Sequence, residues 1–99
     1  LGGMYFQGQG VPQDYKEAVK WFRLSAEQGI APAQFALGTM YAKGEGVPKD
    51  YVLAHMWLNL AGSNGQKEGE KLRDLIETQM SPSQIEEAQE MASNLKPKK

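Results

Sequence analysis

The fold of this chain is decided by the stretch Gly44-Glu45-Gly46-Val47-Pro48-Lys49-Asp50-Tyr51. Almost the same string, Gly8-Gln9-Gly10-Val11-Pro12-Gln13-Asp14-Tyr15, stands 36 residues earlier. When residues 1–29 are aligned with 37–65, 14 of the 29 positions are identical. Periods of about 20 to 50 residues are typical of solenoids, in which each unit covers the apolar face of its neighbour. The chain is therefore built from a tandem repeat.

Within each repeat, apolar residues recur at helical spacing between glycine and proline stops. Gly8 and Gly44 stand where a left-handed helix C-cap favours glycine, and Pro12 stands where a new helix can start without its N–H. Asp14 and Asp50 place a negative charge at the start of the next helix, where the helix dipole favours it. The pattern predicts no strand and six helices, at residues 1–7, 14–28, 31–43, 49–63, 66–80 and 82–95.

The likeness between repeats fades after Gly65, and the last third of the chain has the pattern of a cap. One predicted helix has an apolar stripe of Leu72, Leu75, Ile76 and Met80. The next starts at Ser81-Pro82-Ser83-Gln84, which supplies an N-cap serine, a proline at the first helical position and a glutamine three residues after the cap. Its predicted buried face is Ile85, Ala88, Met91, Ala92 and Leu95.

These patterns predict a single helical-repeat domain over residues 1–95. It would contain a partial unit at 1–29, a complete unit at 30–65 and a divergent C-terminal cap at 66–95. Terminal repeats diverge in this way when one side faces solvent. Residues 96–99 are expected to be a solvated tail.

Composition argues against several classes of function. Eleven basic and twelve acidic residues give a net charge of −1, so no overall field attracts nucleic acid or anionic lipid. The absence of cysteine excludes disulfides, thiolate metal sites and cysteine nucleophiles, and leaves the cellular compartment open. The apolar runs are far shorter than the roughly 20 residues that cross a bilayer, so no membrane insertion is expected. Because the chain starts within a repeat, we expect upstream sequence, with any signal or anchor, to be missing.

The two Gly-x-Gly loops and the two aspartates suggest chemistry only superficially. Each loop precedes a helix, as in a phosphate cradle, but the third glycine and the preceding strand of that motif are missing. We interpret the loops as helix stops. Asp14 and Asp50 are one whole repeat apart and each starts a helix, so they are not expected to form a catalytic pair.

The histidine and the tryptophans are also explained by packing. His55 is the only histidine and takes the place of Val19, and we expect a half-buried side chain that packs or hydrogen-bonds. Trp21 and Trp57 recur with the period, which predicts core positions. Gly38, inside a helix, is interpreted as a close packing contact with a bulky Trp or Tyr. We predict no catalytic residue, no metal site and no cofactor.

The repeat closely resembles the Sel-one-like repeat family, a tetratricopeptide-like group of bacterial helical-repeat proteins. The family pattern is carried here by Ala33-Gln34, Leu37-Gly38, Tyr41, Gly44-x-Gly46-Val47, Asp50, Ala54, Trp57 and Gly65. The resemblance implies an all-α, right-handed α/α superhelix (solenoid) of antiparallel helix pairs, with about two and a half repeats plus a C-terminal capping helix. It also implies an adaptor that binds proteins rather than a catalyst. One branch of the family has a disulfide, which this cysteine-free chain cannot form.

The partner-binding surface is predicted where the repeat signature leaves residues free. The stripe between repeats uses positions 33, 37, 38 and 41, so Phe35 and Thr39 project from another side of their helix. Phe6 falls on the same strip, flanked by Gln7 and Lys43. We therefore predict a peptide anchor made of Phe6, Gln7, Phe35, Thr39 and Lys43. The alternative, in which Phe35 fills a gap between repeats, stays open.

The leading hypothesis is a non-enzymatic scaffold or adaptor that binds a protein segment on its concave face. The alternative is a structural spacer within a larger envelope or secreted repeat protein. We also expect weak self-association through the N-terminal edge, because Met4 and Tyr5 lack a preceding helix to cover them.

Overall fold

The computed structural model describes residues 14–95, which form five helices. The helices are α1 (Asp14–Glu27), α2 (Ala31–Lys43), α3 (Tyr51–Ser63), α4 (Lys67–Glu77) and α5 (Pro82–Leu95). No residue within 14–95 belongs to a strand, in agreement with the helical spacing of the sequence. The predicted helix at residues 1–7, and with it the edge expected to self-associate, lies outside the described residues.

The ends of α2 and the start of α3 follow the signals in the repeat. Gly44 ends α2 in the left-handed conformation, with φ 74°, and donates its N–H to the Met40 carbonyl. Asp50 caps α3, since its side chain accepts a hydrogen bond of 3.1 Å from the N–H of Leu53. This cap makes the helix begin at residue 51 rather than at the predicted residue 49.

Helix α5 begins where the sequence predicts, whereas α4 is shorter than predicted. Ser81 Oγ accepts a hydrogen bond of 3.2 Å from the Gln84 N–H, and Gln84 Oε1 accepts one of 2.9 Å from the Ser81 N–H. These reciprocal bonds are the predicted capping box of α5. Helix α4 ends at Glu77 instead of residue 80, because the N–H groups of 78–80 bond to carbonyls three residues earlier. Such bonds tighten the chain into a turn and end the α-helix.

Helix α3 lies at the centre of the described residues. Helix α2 packs against both α1 and α3, while α4 and α5 also pack against α3. A helix with neighbours on several sides is apolar nearly all round. Eight of the 13 residues of α3 are accordingly buried: Ala54, His55, Met56, Trp57, Leu58, Leu60, Ala61 and Gly62.

Two glycines allow the neighbouring helices to approach α3 at Leu58. A Cβ added at Gly38 of α2 would lie 2.8 Å from Leu58 Cγ, and one at Gly69 of α4 would lie 2.6 Å from the Leu58 carbonyl oxygen. Both distances are shorter than van der Waals contact, so each position requires glycine for this spacing of the helices. Gly38 is thus the packing contact that the sequence predicts, but its neighbour is Leu58 rather than a Trp or Tyr.

Three large side chains predicted to be buried are instead exposed, and the core prediction is wrong for them. Trp21 is 43% exposed, Leu75 is 64% exposed and Leu95 is 49% exposed. Trp57 is only 6% exposed. Trp57 lies on α3, against which α2, α4 and α5 pack, whereas Trp21 lies on α1, which among the described helices packs mainly against α2. Leu75 is exposed because α4 packs mainly on α3, which covers the side of Ile76 and leaves the adjacent position open.

The two tryptophans provide a matched test of this difference. Replacing Trp57 with Ala should lower the free energy of unfolding by about 3 to 5 kcal/mol, the usual loss for a large buried aromatic side chain. Trp21→Ala removes the same atoms from an exposed site and should cost much less. Thermal melts of both variants measure the difference. Equal losses in the two variants would contradict the environments described for them.

A second pair of variants tests the contact at Leu58. Gly38→Ala should destabilise, because overpacking costs about 1 to 3 kcal/mol and Leu58 is fully buried and cannot move aside. This cost should exceed the gain in helix propensity of about 1 kcal/mol. Gly62→Ala is the control, because a Cβ there meets the flexible side chain of Glu70, and Ala26 occupies the equivalent position of the first repeat. Chemical denaturation that shows Gly38→Ala to be as stable as Gly62→Ala would contradict the close contact.

Candidate functional site

A cleft of about 520 Å³ opens where α1, α3 and α5 end. The last residue of each of these helices, respectively Glu27, Ser63 and Leu95, lines it. Trp57 and Leu60 also line the cleft and are both buried. The cleft therefore combines an apolar base with a rim of polar groups and helix ends.

A buried glutamine holds two sides of the cleft together. Gln34 of α2 is 3% exposed, and its Nε2 donates a hydrogen bond of 3.0 Å to the carbonyl of Ala26 in α1. Its Oε1 accepts a bond of 3.0 Å from Nδ2 of Asn64, the residue that follows α3. Burial of a side-chain amide costs little free energy when both its N–H and its C=O group are hydrogen-bonded, and these bonds hold the bonded groups in place. Gln34 therefore fixes the end of α1 relative to the end of α3.

The cleft and the role of Gln34 were not predicted from the sequence. The one available signal was the Ala33-Gln34 pair of the repeat pattern, in which a polar residue lies in the first turn of a mostly apolar helix. The cleft itself combines residues from the ends of four helices. No local pattern in the sequence brings those residues together.

The predicted partner-binding strip is only partly open. Phe6 and Gln7 lie outside the described residues. Phe35 is half-buried against the core, and Thr39 is buried with its hydroxyl donating to the Phe35 carbonyl at 2.8 Å. Lys43 is exposed at the end of α2. The strip is more covered than its spacing predicts, because α2 packs against α1 as well as α3; its role in binding stays a prediction.

The Gly-x-Gly loop before α3 serves packing. Gly46 has φ 77°, and a Cβ there would lie 2.6 Å from the carbonyl oxygen of Tyr15. The loop is therefore pressed against the start of α1 and ends in the Asp50 cap. No group of three or more His, Cys, Asp or Glu within residues 14–95 could hold a metal ion. None of helices α1 to α5 is long and apolar enough to cross a bilayer.

His55 is more buried than predicted and forms a hydrogen bond to α4. It is fully buried, and its Nε2 lies 2.6 Å from Oε2 of Glu77 at the end of α4. A carboxylate accepts hydrogen bonds, so Nε2 carries the proton and donates it. The other ring nitrogen of His55, Nδ1, is buried without a hydrogen-bond partner. The pair connects α3 with α4.

A double-mutant cycle tests this connection. Glu77→Ala should destabilise by about 1 to 3 kcal/mol, because it leaves the His55 N–H buried without an acceptor. In a His55→Val background the same change should cost much less, since valine, the residue at equivalent position 19, has no donor. Urea unfolding of the four proteins measures the coupling. Glu86→Ala on the exposed side of α5 is the control, and strictly additive effects at 55 and 77 would contradict the connection.

Comparison with known proteins gives two findings. The sequence matches the Sel1 repeat twice, over residues 1–30 and 31–66. The chain is also similar to the crystal structure of c5321, a protective antigen present in uropathogenic Escherichia coli strains that displays an SLR fold, with a TM-score of 0.88 and 35% identity. That match covers 96% of this chain and 21% of the other, so the chain spans about a fifth of that protein. No curated protein sequence matches.

The repeat match and the structural match agree with the geometry. The two matched repeats span two thirds of the chain and include α1, α2 and α3. The packing of α2 between α1 and α3 is that of consecutive repeats in a solenoid. The chain is thus an all-α helical-repeat solenoid, and it belongs to the Sel1 repeat family.

Proposed function

We propose that this chain is a protein-interaction module that holds a segment of another protein in the cleft at the ends of α1, α3 and α5. The observation that carries the proposal is the cleft itself, which has Trp57 and Leu60 at its base and Gln34 and Asn64 beside them. Its volume of about 520 Å³ is within the range of roughly 300 to 1,000 Å³ typical of ligand sites. Membership of the Sel1 repeat family supports binding to proteins.

The described residues favour binding over catalysis. His55 is fully buried and bonded to Glu77, so it faces no open site. Asp50 is occupied as a helix cap. The polar groups of the cleft are amides, a hydroxyl and one carboxylate, which suit recognition of a peptide more than acid–base chemistry.

A spacer within a longer solenoid is the second candidate function. Its supporting observation is the exposed face of α1, where Trp21 and Leu24 are 43% and 56% exposed while their counterparts Trp57 and Leu60 are buried. A neighbouring repeat would cover such a face. In that case the cleft would have no partner of its own.

Selection of peptides tests the proposal. A displayed library of random 12-residue peptides should yield binders of the purified chain, and Ser63→Phe should weaken them at least about tenfold by filling the cleft, which is the effect of losing one well-placed anchor. Ser63 is exposed at the end of α3, so the fold should be kept. Ser83→Phe is the control, because Ser83 is also exposed and lies in the first turn of α5, at the opposite end of that helix from Leu95.

The variant Phe35→Ala separates the cleft from the strip on α2. Loss of peptide binding in Phe35→Ala but not in Ser63→Phe would move the binding surface to the strip, on the concave face expected for the family. Recovery of no binders would contradict the proposal and support the spacer. Retained binding in all three variants would place the partner on another surface.

A further inference from the structure

The cleft is surrounded by the carboxyl ends of three helices. Helices α1, α3 and α5 each place their last residue in its lining. A helix C-terminus carries roughly half a negative charge on its terminal carbonyls. None of the three helices has a basic residue in its last turn to offset that charge. Three helix C-termini, none with a basic residue in its last turn, therefore meet at one site.

The side chains of the cleft add to this negative field. Glu27 is the one ionisable residue among the described residues that line the cleft, and it is exposed. Helix α2 begins at the same end, but its residue in the lining is Gln34, whose amide is already paired with Ala26 and Asn64. Among the described residues, the positive end of one helix, α2, thus stands against the negative ends of three helices and one carboxylate. The cleft disfavours anions and favours a cation.

The apolar part of the cleft restricts the kind of cation. Trp57, Leu60 and Leu95 supply apolar surface next to the negative rim. Arginine and lysine have an apolar stem that packs on such surface and a charged head that remains at its edge. The planar guanidinium also presents several donors in fixed directions, which suits a carboxylate together with terminal carbonyls.

We propose that the cleft binds an arginine side chain of the partner segment, with the stem against Trp57 and Leu95 and the guanidinium at Glu27 and the helix ends. The proposal rests on the proposed function and specifies the chemistry of the partner at the same cleft. A neutral apolar segment would leave the negative rim unpaired. An acidic segment would be repelled by it.

Two peptides that differ by one charge test the proposal. The probes are N-acetyl-leucyl-arginyl-leucine amide and the same peptide with citrulline, which has the shape of arginine but no charge. The chain has two tryptophans, so its NMR spectrum has two indole N–H signals. The arginine peptide should shift the Trp57 signal and leave that of Trp21 unchanged. The citrulline peptide should bind about tenfold more weakly, since it lacks the attraction to the carboxylate and helix ends.

Two glutamates on one helix provide the matched variants. Glu27→Gln should weaken the arginine peptide about two- to fivefold, the range for an exposed charge pair. Glu17→Gln changes the net charge equally, on an exposed position of α1 ten residues away, and should leave binding unchanged. Added salt should weaken binding of the arginine peptide more than that of the citrulline peptide.

Several outcomes would overturn the proposal. Equal affinity of the two peptides would remove the preference for a cation while leaving the cleft as a peptide site, so the proposed function would survive. Equal effects of Glu27→Gln and Glu17→Gln would show that only net charge matters. No shift of the Trp57 signal by either peptide would count against both proposals. Binding seen only after Lys96, Lys98 and Lys99 are replaced by Gln would mean that the chain's own tail competes for the cleft, which would overturn a partner segment as its occupant.

Discussion

The structure depends on the close packing of two helices against α3 at Leu58. Gly38 of α2 faces the side chain of Leu58, and Gly69 of α4 faces its carbonyl. Without a Cβ at either position, both helices approach α3 closely enough to bury most of its surface. Helix α5 packs on α3 as well, so α3 is the element that α2, α4 and α5 all contact. The cleft exists because the ends of α1, α3 and α5 are held near each other around this central helix.

Equivalent residues of the two repeats have different environments, and the differences determine the candidate site. Trp57 is buried on α3, which packs against α2, α4 and α5, while Trp21 is exposed on α1. Val19 needs no hydrogen bond, whereas His55 at the equivalent position reaches Glu77 of α4. Helices α4 and α5, which follow the two matched repeats, thus make specific contacts to α3. In a repeat protein, such departures from the period are where individual function arises, because the repeated positions are already used for packing.

Much of the fold could be predicted from the sequence because its signals are local. The Gly44 stop, the Asp50 cap and the capping box of Ser81 and Gln84 each involve residues within four positions of one another. Such hydrogen bonds form in the same way wherever the motif occurs. The period of 36 residues predicted that successive units stack, since each repeat buries its apolar face against its neighbour.

The candidate site could not be predicted, because it depends on the placement of whole helices. The cleft joins residues 27, 63 and 95, and no spacing rule relates the end of α5 to the end of α1. The exposure of Leu75 was missed because Leu75 and the buried Ile76 belong to the same apolar stripe in the sequence. Only the position of the neighbouring helix α3 decides which of the two is covered. Thr39 was predicted to be exposed but is buried, because α2 packs against helices on two sides.

The most direct test of the central claim is native-state hydrogen exchange of the backbone amides. If α3 is the element on which the described residues depend, the amides of residues 55–61 should exchange only through global unfolding, while those of α1 and α5 should exchange through smaller openings. The free energies of opening for α3 should then equal the free energy of unfolding measured by denaturant. Faster exchange in α3 than in α1 or α5 would contradict the claim that the fold and its cleft are built around α3.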